Sequence, residues 1–148
     1  MTDLKARLDQ IRGRVTSNDF LTGKGLGNEV PFYAFDYAPA DEPQVDAYVS
    51  WLADDLGRKT SLNIVNVNVF ALVVEVLRAR GLYEKAVALE LAKGISALLS
   101  ALKGPLEAGK LAQTLMAKVK SERAGTILLT GVGAAYPFVR THSLLNNL

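Results

Sequence analysis

Leu4, Leu8, Ile11 and Val15 recur at intervals of four, three and four residues. That spacing lays one apolar stripe along a helix and predicts one from about Asp3 to Val15. Thr16-Ser17-Asn18-Asp19 and then Gly23, Gly25 and Gly27 end the pattern. Val30 to Tyr37, VPFYAFDY, is apolar on both faces and rich in aromatics, which predicts a strand buried on two sides, as in parallel sheets. Asp41 stands where it can cap the next helix, with Pro43 in the first turn and Gln44 three positions beyond the cap. This helix is expected to run to about Leu56 and stop at Gly57. Leu62 to Val67 reads as the second strand, with Val65 and Val67 on one side and Ile64 and Asn66 on the other. Asn68 is then expected to cap a helix from Val69 to Arg80, closed by Gly81.

Between Gly81 and Arg123 the strand–helix rhythm lapses. Leu91, Ile95, Leu98 and Leu102 predict one apolar stripe, Gly104-Pro105 a break, and Leu111, Leu115 and Val119 a second stripe. The expectation is a helical hairpin inserted before a third strand, Thr126–Thr130. Ile127, Leu128 and Leu129 are consecutive and apolar, so that strand is expected to be buried on both faces. Gly131 and Gly133 should turn the chain sharply, and Pro137 should begin the final helix. The fold class expected is α/β: a small three-stranded, mainly parallel sheet flanked by helices, with right-handed crossovers. Residues 1–148 read as a single α/β domain. So thin a sheet is expected to leave the edge beside the third strand bare, for a further strand or for a partner.

Composition narrows the function classes. The chain has no cysteine, which excludes disulfides, thiol catalysis and zinc-thiolate sites. The net charge is only +2, and basic residues alternate with acidic ones, as in Lys5–Arg7–Asp9 and Lys118–Lys120–Glu122. Solvated helix faces account for that pattern, and direct DNA binding is not expected. MTDLKARLDQ lacks the apolar core of a signal peptide. No apolar run reaches the roughly 20 residues that span a bilayer, so the expected setting is the cytoplasm, without membrane association.

No complete catalytic or metal-binding motif is present, and neither a cofactor nor a metal is expected. Gly23-Lys24-Gly25-Leu26-Gly27-Asn28 resembles a phosphate loop only superficially. A Walker loop lies between a strand and a helix and ends in Lys-Ser or Lys-Thr, whereas these glycines precede a strand. Gly131-Val132-Gly133-Ala134-Ala135 sits where a dinucleotide loop would, but Tyr136 occupies the third glycine position of the fingerprint. A tight turn explains it. Ligands in open α/β sheets bind at the carboxyl ends of strands, so this edge is where a ligand would be sought. Asp36, expected at the end of the first strand, could share it. His142 is the only histidine and so cannot form a metal cluster. Arg140, on the same segment, could bind an anion or a partner's carboxylate. Asp36, Gly131, Gly133, Arg140 and His142 are the candidate interaction or ligand-edge residues.

Two blocks are distinctive together: Phe20 to Tyr33, FLTGKGLGNEVPFY, and Leu129 to His142, LTGVGAAYPFVRTH, running on to Leu144-Leu145-Asn146-Asn147. With FDY after the first block, they resemble the BrxB family, small proteins encoded in BREX phage-defence operons of bacteria. The resemblance covers nearly the whole chain, the helical middle matching in character only. It implies a truncated or N-terminal portion of a longer protein, because family members continue past the LLNNL segment. It also implies a component of a multi-protein complex that restricts phage, and it brings no catalytic residues. The partners it implies are other BREX proteins, chiefly the PglZ-type protein and also the methyltransferase. The function expected is a non-enzymatic adaptor or scaffold. The alternative is a degenerate nucleotide-binding or regulatory α/β domain, with Asp36 and the glycine turn on one edge of the sheet.

Overall fold

The structure is a computed structural model that describes residues 3–22 and 32–148. They form two compact units, Met1–Leu62 and Asn63–Leu148.

The regular elements described in the first unit are all helical. Helix α1 (Leu4–Val15) starts where Asp3 accepts the Lys5 N–H, and a short helix α2 (Asn18–Thr22) follows. After a single 3-10 turn (Pro39–Asp41) comes helix α3 (Glu42–Lys59). Leu8 and Val15 of α1 and Val45, Val49, Leu52 and Leu56 of α3 are buried, each set in the helical spacing the sequence shows. Pro43 lies at the start of α3, but the Asp41 side chain makes no capping hydrogen bond. Nor does α3 stop at Gly57. It ends at Thr60, whose N–H and hydroxyl both donate to the Leu56 carbonyl, at 3.0 and 2.6 Å.

The first expected strand, Val30–Tyr37, is not formed over its described residues, which belong to neither a helix nor a strand. Val30, Pro31 and the Gly23–Asn28 loop lie outside the described residues. The aromatic run stacks on the cations of α1 instead of entering a sheet. The Arg14 guanidinium lies 5.0 Å from the Tyr33 ring centre and that of Arg7 4.8 Å from Phe35. Arg7 also donates to the Asp36 carbonyl, and the Tyr37 hydroxyl donates to Glu42 at 2.6 Å. An apolar run has the same pattern whether its rings fill a sheet or cover helical arginines, and Phe32 and Tyr33 remain about half exposed.

The second unit holds the sheet. Strands β1 (Ile64–Asn68) and β2 (Thr126–Thr130) pair in parallel, Ile64 opposite Thr126 and Asn68 opposite Thr130. Among the described residues the sheet therefore has two strands, not the three expected. Asn63 fixes the register. Its carbonyl accepts the Gly125 N–H at 2.9 Å, and its side-chain amide donates to the carbonyls of Glu122 and Arg123. Around the pair lie α4 (Val69–Ala79), α5 (Tyr83–Lys93), α6 (Ile95–Leu102), α7 (Ala108–Ser121), α8 (Val132–Ala135) and α9 (Thr141–Leu145). The core runs from Val67 through Leu72, Val76 and Leu98 to Leu115 and Leu144.

The expected hairpin is thus three helices. Gly94, at φ +86°, separates α5 from α6. The stripe breaks there: Leu98 and Leu102 are buried, while Leu91 is 84% exposed and Ile95 46%. The second stripe, Leu111, Leu115 and Val119, is buried as expected. In β2 only Thr126 is buried and Ile127 to Thr130 are half-buried, because neither strand of a two-stranded sheet is enclosed by neighbours on both edges. Pro137 does not start the last helix. It lies in a turn, and α9 begins at Thr141.

Candidate functional site

The carboxyl end of β1 and β2 is built around one side chain. Asn68, the last residue of β1, accepts the Ala71 N–H at 3.0 Å and so caps α4, as its residue type predicts. Its amide lies against Gly131, the residue after β2. Gly131 has φ +66°, and a Cβ there would stand 2.7 Å from the Asn68 Cγ and 2.8 Å from its Nδ2. Glycine is required twice, for the left-handed backbone and for the close approach. Beside it, Thr130 donates its hydroxyl to the Asn66 side-chain oxygen at 2.9 Å. Gly133 is different: it lies inside α8, with ordinary φ and nothing within 4 Å of a built Cβ, so the sharp turn belongs to Gly131 alone.

This turn holds itself closed. Below it, Val69, Leu129, Val132, Val139, Thr141 and Leu144 line an apolar crevice of about 10 Å³, near the limit for a single water. Arg140 and His142 are both exposed on the flank of α9. Asp36 belongs to the first unit, exposed in a stretch without regular structure and at the end of no strand, so the carboxyl-edge premise behind pairing it with the glycine turn is absent. Among the described residues, no group of three or more His, Cys, Asp or Glu could hold a metal ion. Also among them, no helix is long and apolar enough to cross a membrane.

The larger feature lies in the first unit and was not singled out from the sequence. An open groove of about 620 Å³ runs between α1 and α3. It is lined by Asp3, Leu4, Lys5 and Leu8 from the α1 side and by Gln44, Ala47, Tyr48 and Trp51 from α3, and of these only Leu8 is buried. The Tyr48 and Trp51 rings are 5.5 Å apart at 53°, and Trp51 is 48% exposed. The Tyr48 hydroxyl donates to Asp9 at 3.4 Å. Partial burial first, then the Asp9 carboxylate, push the Tyr48 phenol above its ordinary value. Burial followed by the Glu42 contact raises Tyr37 to about 12. At the far end Arg12 stacks on Trp51 at 5.6 Å and donates to Asp55 at 2.7 Å. Hydrogen bonds from Lys59 and Arg12 hold Asp55 below the usual carboxylate range. Tyr48 and Trp51 could have flagged the groove, since an aromatic pair at i, i+3 shares one helix face.

The family described as BREX protein BrxB matches residues 65–148, nearly all of the second unit. A BREX protein BrxB from Escherichia coli O9:H4 (strain HS) is 35% identical over 145 residues, covering 98% of this chain and 72% of the relative. Its namesake from Bacillus cereus (strain H3081.97) is 32% identical over 152 residues, covering all of this chain and 78% of the relative. No solved structure matches the chain.

Proposed function

The chain belongs to the BrxB family of BREX proteins, and on that premise we propose that it is a non-enzymatic adaptor of the BREX phage-defence system that binds the PglZ-type protein. The observation that carries this reading is the unfinished sheet. Among the described residues β1 pairs only with β2 and β2 only with β1, and Ile127, Leu128 and Leu129 stay half-buried. An unpaired strand edge offers a row of backbone donors and acceptors to a partner's chain. The methyltransferase of the same system is a second candidate partner.

The nucleotide-binding alternative draws no support from the strand-end turn, where Asn68 occupies the space beside Gly131 and α8 is only four residues long. Two experiments test the adaptor reading. In cells expressing the operon, the tagged chain should retain the PglZ-type protein through size exclusion. In a thermal shift assay, millimolar ATP or GTP with magnesium should leave the midpoint unchanged. A nucleotide at 100 times its dissociation constant would add about 2.7 kcal/mol, and an upward shift of that size would displace the adaptor reading in favour of the nucleotide one.

A further inference from the structure

We propose that the groove between α1 and α3 is the docking site for a basic amphipathic helix of a partner protein, with Trp51 as its central anchor. The proposal deepens the adaptor reading and rests on it, adding to the strand edges a second contact surface on the first unit.

The shape comes first. α1 and α3 advance side by side: Leu4 and Leu8 share the groove with Gln44 to Trp51, Asp9 meets Tyr48, and Arg12 meets first Trp51 and then Asp55. Two neighbouring helices leave a furrow that the ridge of a third can fill. Gln44 to Trp51 spans about 10 Å at 1.5 Å per residue, two turns of a ligand helix with anchors at i, i+4 and i+7. A strand is a poor occupant because the walls are helices, whose backbone groups bond within themselves and offer no ladder. A polyproline segment could draw donors from the Trp51 indole and the Gln44 amide, so it is the competing occupant that the peptide titration below must reject. A helix satisfies its own backbone and asks only for apolar contact.

The charge comes second. The first unit carries ten Asp and Glu against seven Lys and Arg, so its field favours a cationic partner. The arginines of α1 are engaged: Arg7 with Phe35 and the Asp36 carbonyl, Arg12 with Trp51 and Asp55, Arg14 with Tyr33. Asp3 and Lys5 offset each other at one end of the groove. That leaves the Asp9 carboxylate beside the aromatic wall to meet a ligand lysine or arginine. An exposed Trp beside a half-buried Tyr and the buried Leu8 supplies the residue types that dominate binding energy at protein interfaces.

Trp51 is the only tryptophan in the chain, so its emission reports on the groove directly. The probe is a synthetic helix with leucines at i, i+4 and i+7 flanked by lysines, titrated into the intact chain. The result expected is a saturable blue shift, with affinity at least tenfold weaker when the lysines are replaced by glutamates. By anisotropy of the labelled peptide, Trp51→Ala and Asp9→Lys should each weaken binding at least tenfold; both positions are at the surface, and circular dichroism checks that both variants fold. An unchanged Trp51 emission, equal binding of the acidic helix, or tighter binding of a basic proline-rich peptide would overturn the proposal. The same variants separate the two claims. If Trp51→Ala binds the PglZ-type protein with wild-type affinity, the groove proposal fails and the adaptor reading stands. If the wild-type chain binds the lysine helix but no BREX protein, the adaptor reading fails and the groove stands.

Discussion

Gly131 and Gly133 are alike in sequence and opposite in structure. At φ +66° with the Asn68 amide against it, Gly131 cannot take a side chain without backbone strain of about 1–3 kcal/mol and displacement of a helix cap worth about 1 kcal/mol. We therefore expect Gly131→Ala to lower the denaturant midpoint clearly. Gly133→Ala, in an open helical position, should be neutral or stabilising by up to about 1 kcal/mol. Because the clash is with Asn68, Gly131→Ala and Asn68→Ala should cost less together than the sum of the two alone; strict additivity would mean that the two residues do not act on each other. Asp55 gives a second residue-scale test. Lys59 and Arg12 depress its folded pKa, so the ionised form is favoured in the folded chain. The stability it adds is present above the unfolded carboxylate value and is lost as pH falls below about 4. Asp55→Asn should flatten the acid limb of a stability–pH curve relative to wild type; an unchanged acid limb would show that Asp55 does not carry it.

At the scale of elements, the amphipathic helices and the two strands that pair, Ile64–Asn68 and Thr126–Thr130, were legible, and the aromatic run before α3 was not. α1, α4 and α7 follow their apolar stripes closely because each buries one face and keeps one period. Asn68 and Gly131 also behave as their residue types predict, because a cap and a left-handed turn are local requirements. Phe32 to Tyr37 misled because rings stacked on Arg7 and Arg14 have the same alternation-free pattern as a buried strand. The Leu91–Leu102 stripe misled for another reason. Its spacing is helical throughout, but Gly94 rotates the chain at its centre and turns Leu91 outward. The consequence is measurable. Leu115→Ala, at a fully buried site, should cost about 2–5 kcal/mol, whereas Leu91→Ala should stay within about 0.5 kcal/mol. Equal losses would place Leu91 in the core after all. Of the candidate site, the glycine turn was legible as a turn. The α1–α3 groove was not, since it depends on which helix faces pair across more than thirty intervening residues.

At the scale of the whole chain, the two units differ in charge as well as in architecture. Residues 63–148 carry ten Lys and Arg against five Glu, while residues 1–62 are acidic, so a small net charge conceals two bodies of opposite sign. Such a chain can offer different surfaces to different partners, as an adaptor requires. The part matched by the family is the cationic unit with the open two-stranded sheet; the aromatic groove belongs to the other. The most direct test of the adaptor account is isothermal titration of the PglZ-type protein from the same operon into the intact chain. The account predicts saturable binding that survives in the presence of magnesium and nucleotide and needs neither. A folded chain that gives no binding heat with that protein or with the methyltransferase at any temperature tried, while remaining monomeric, would contradict it.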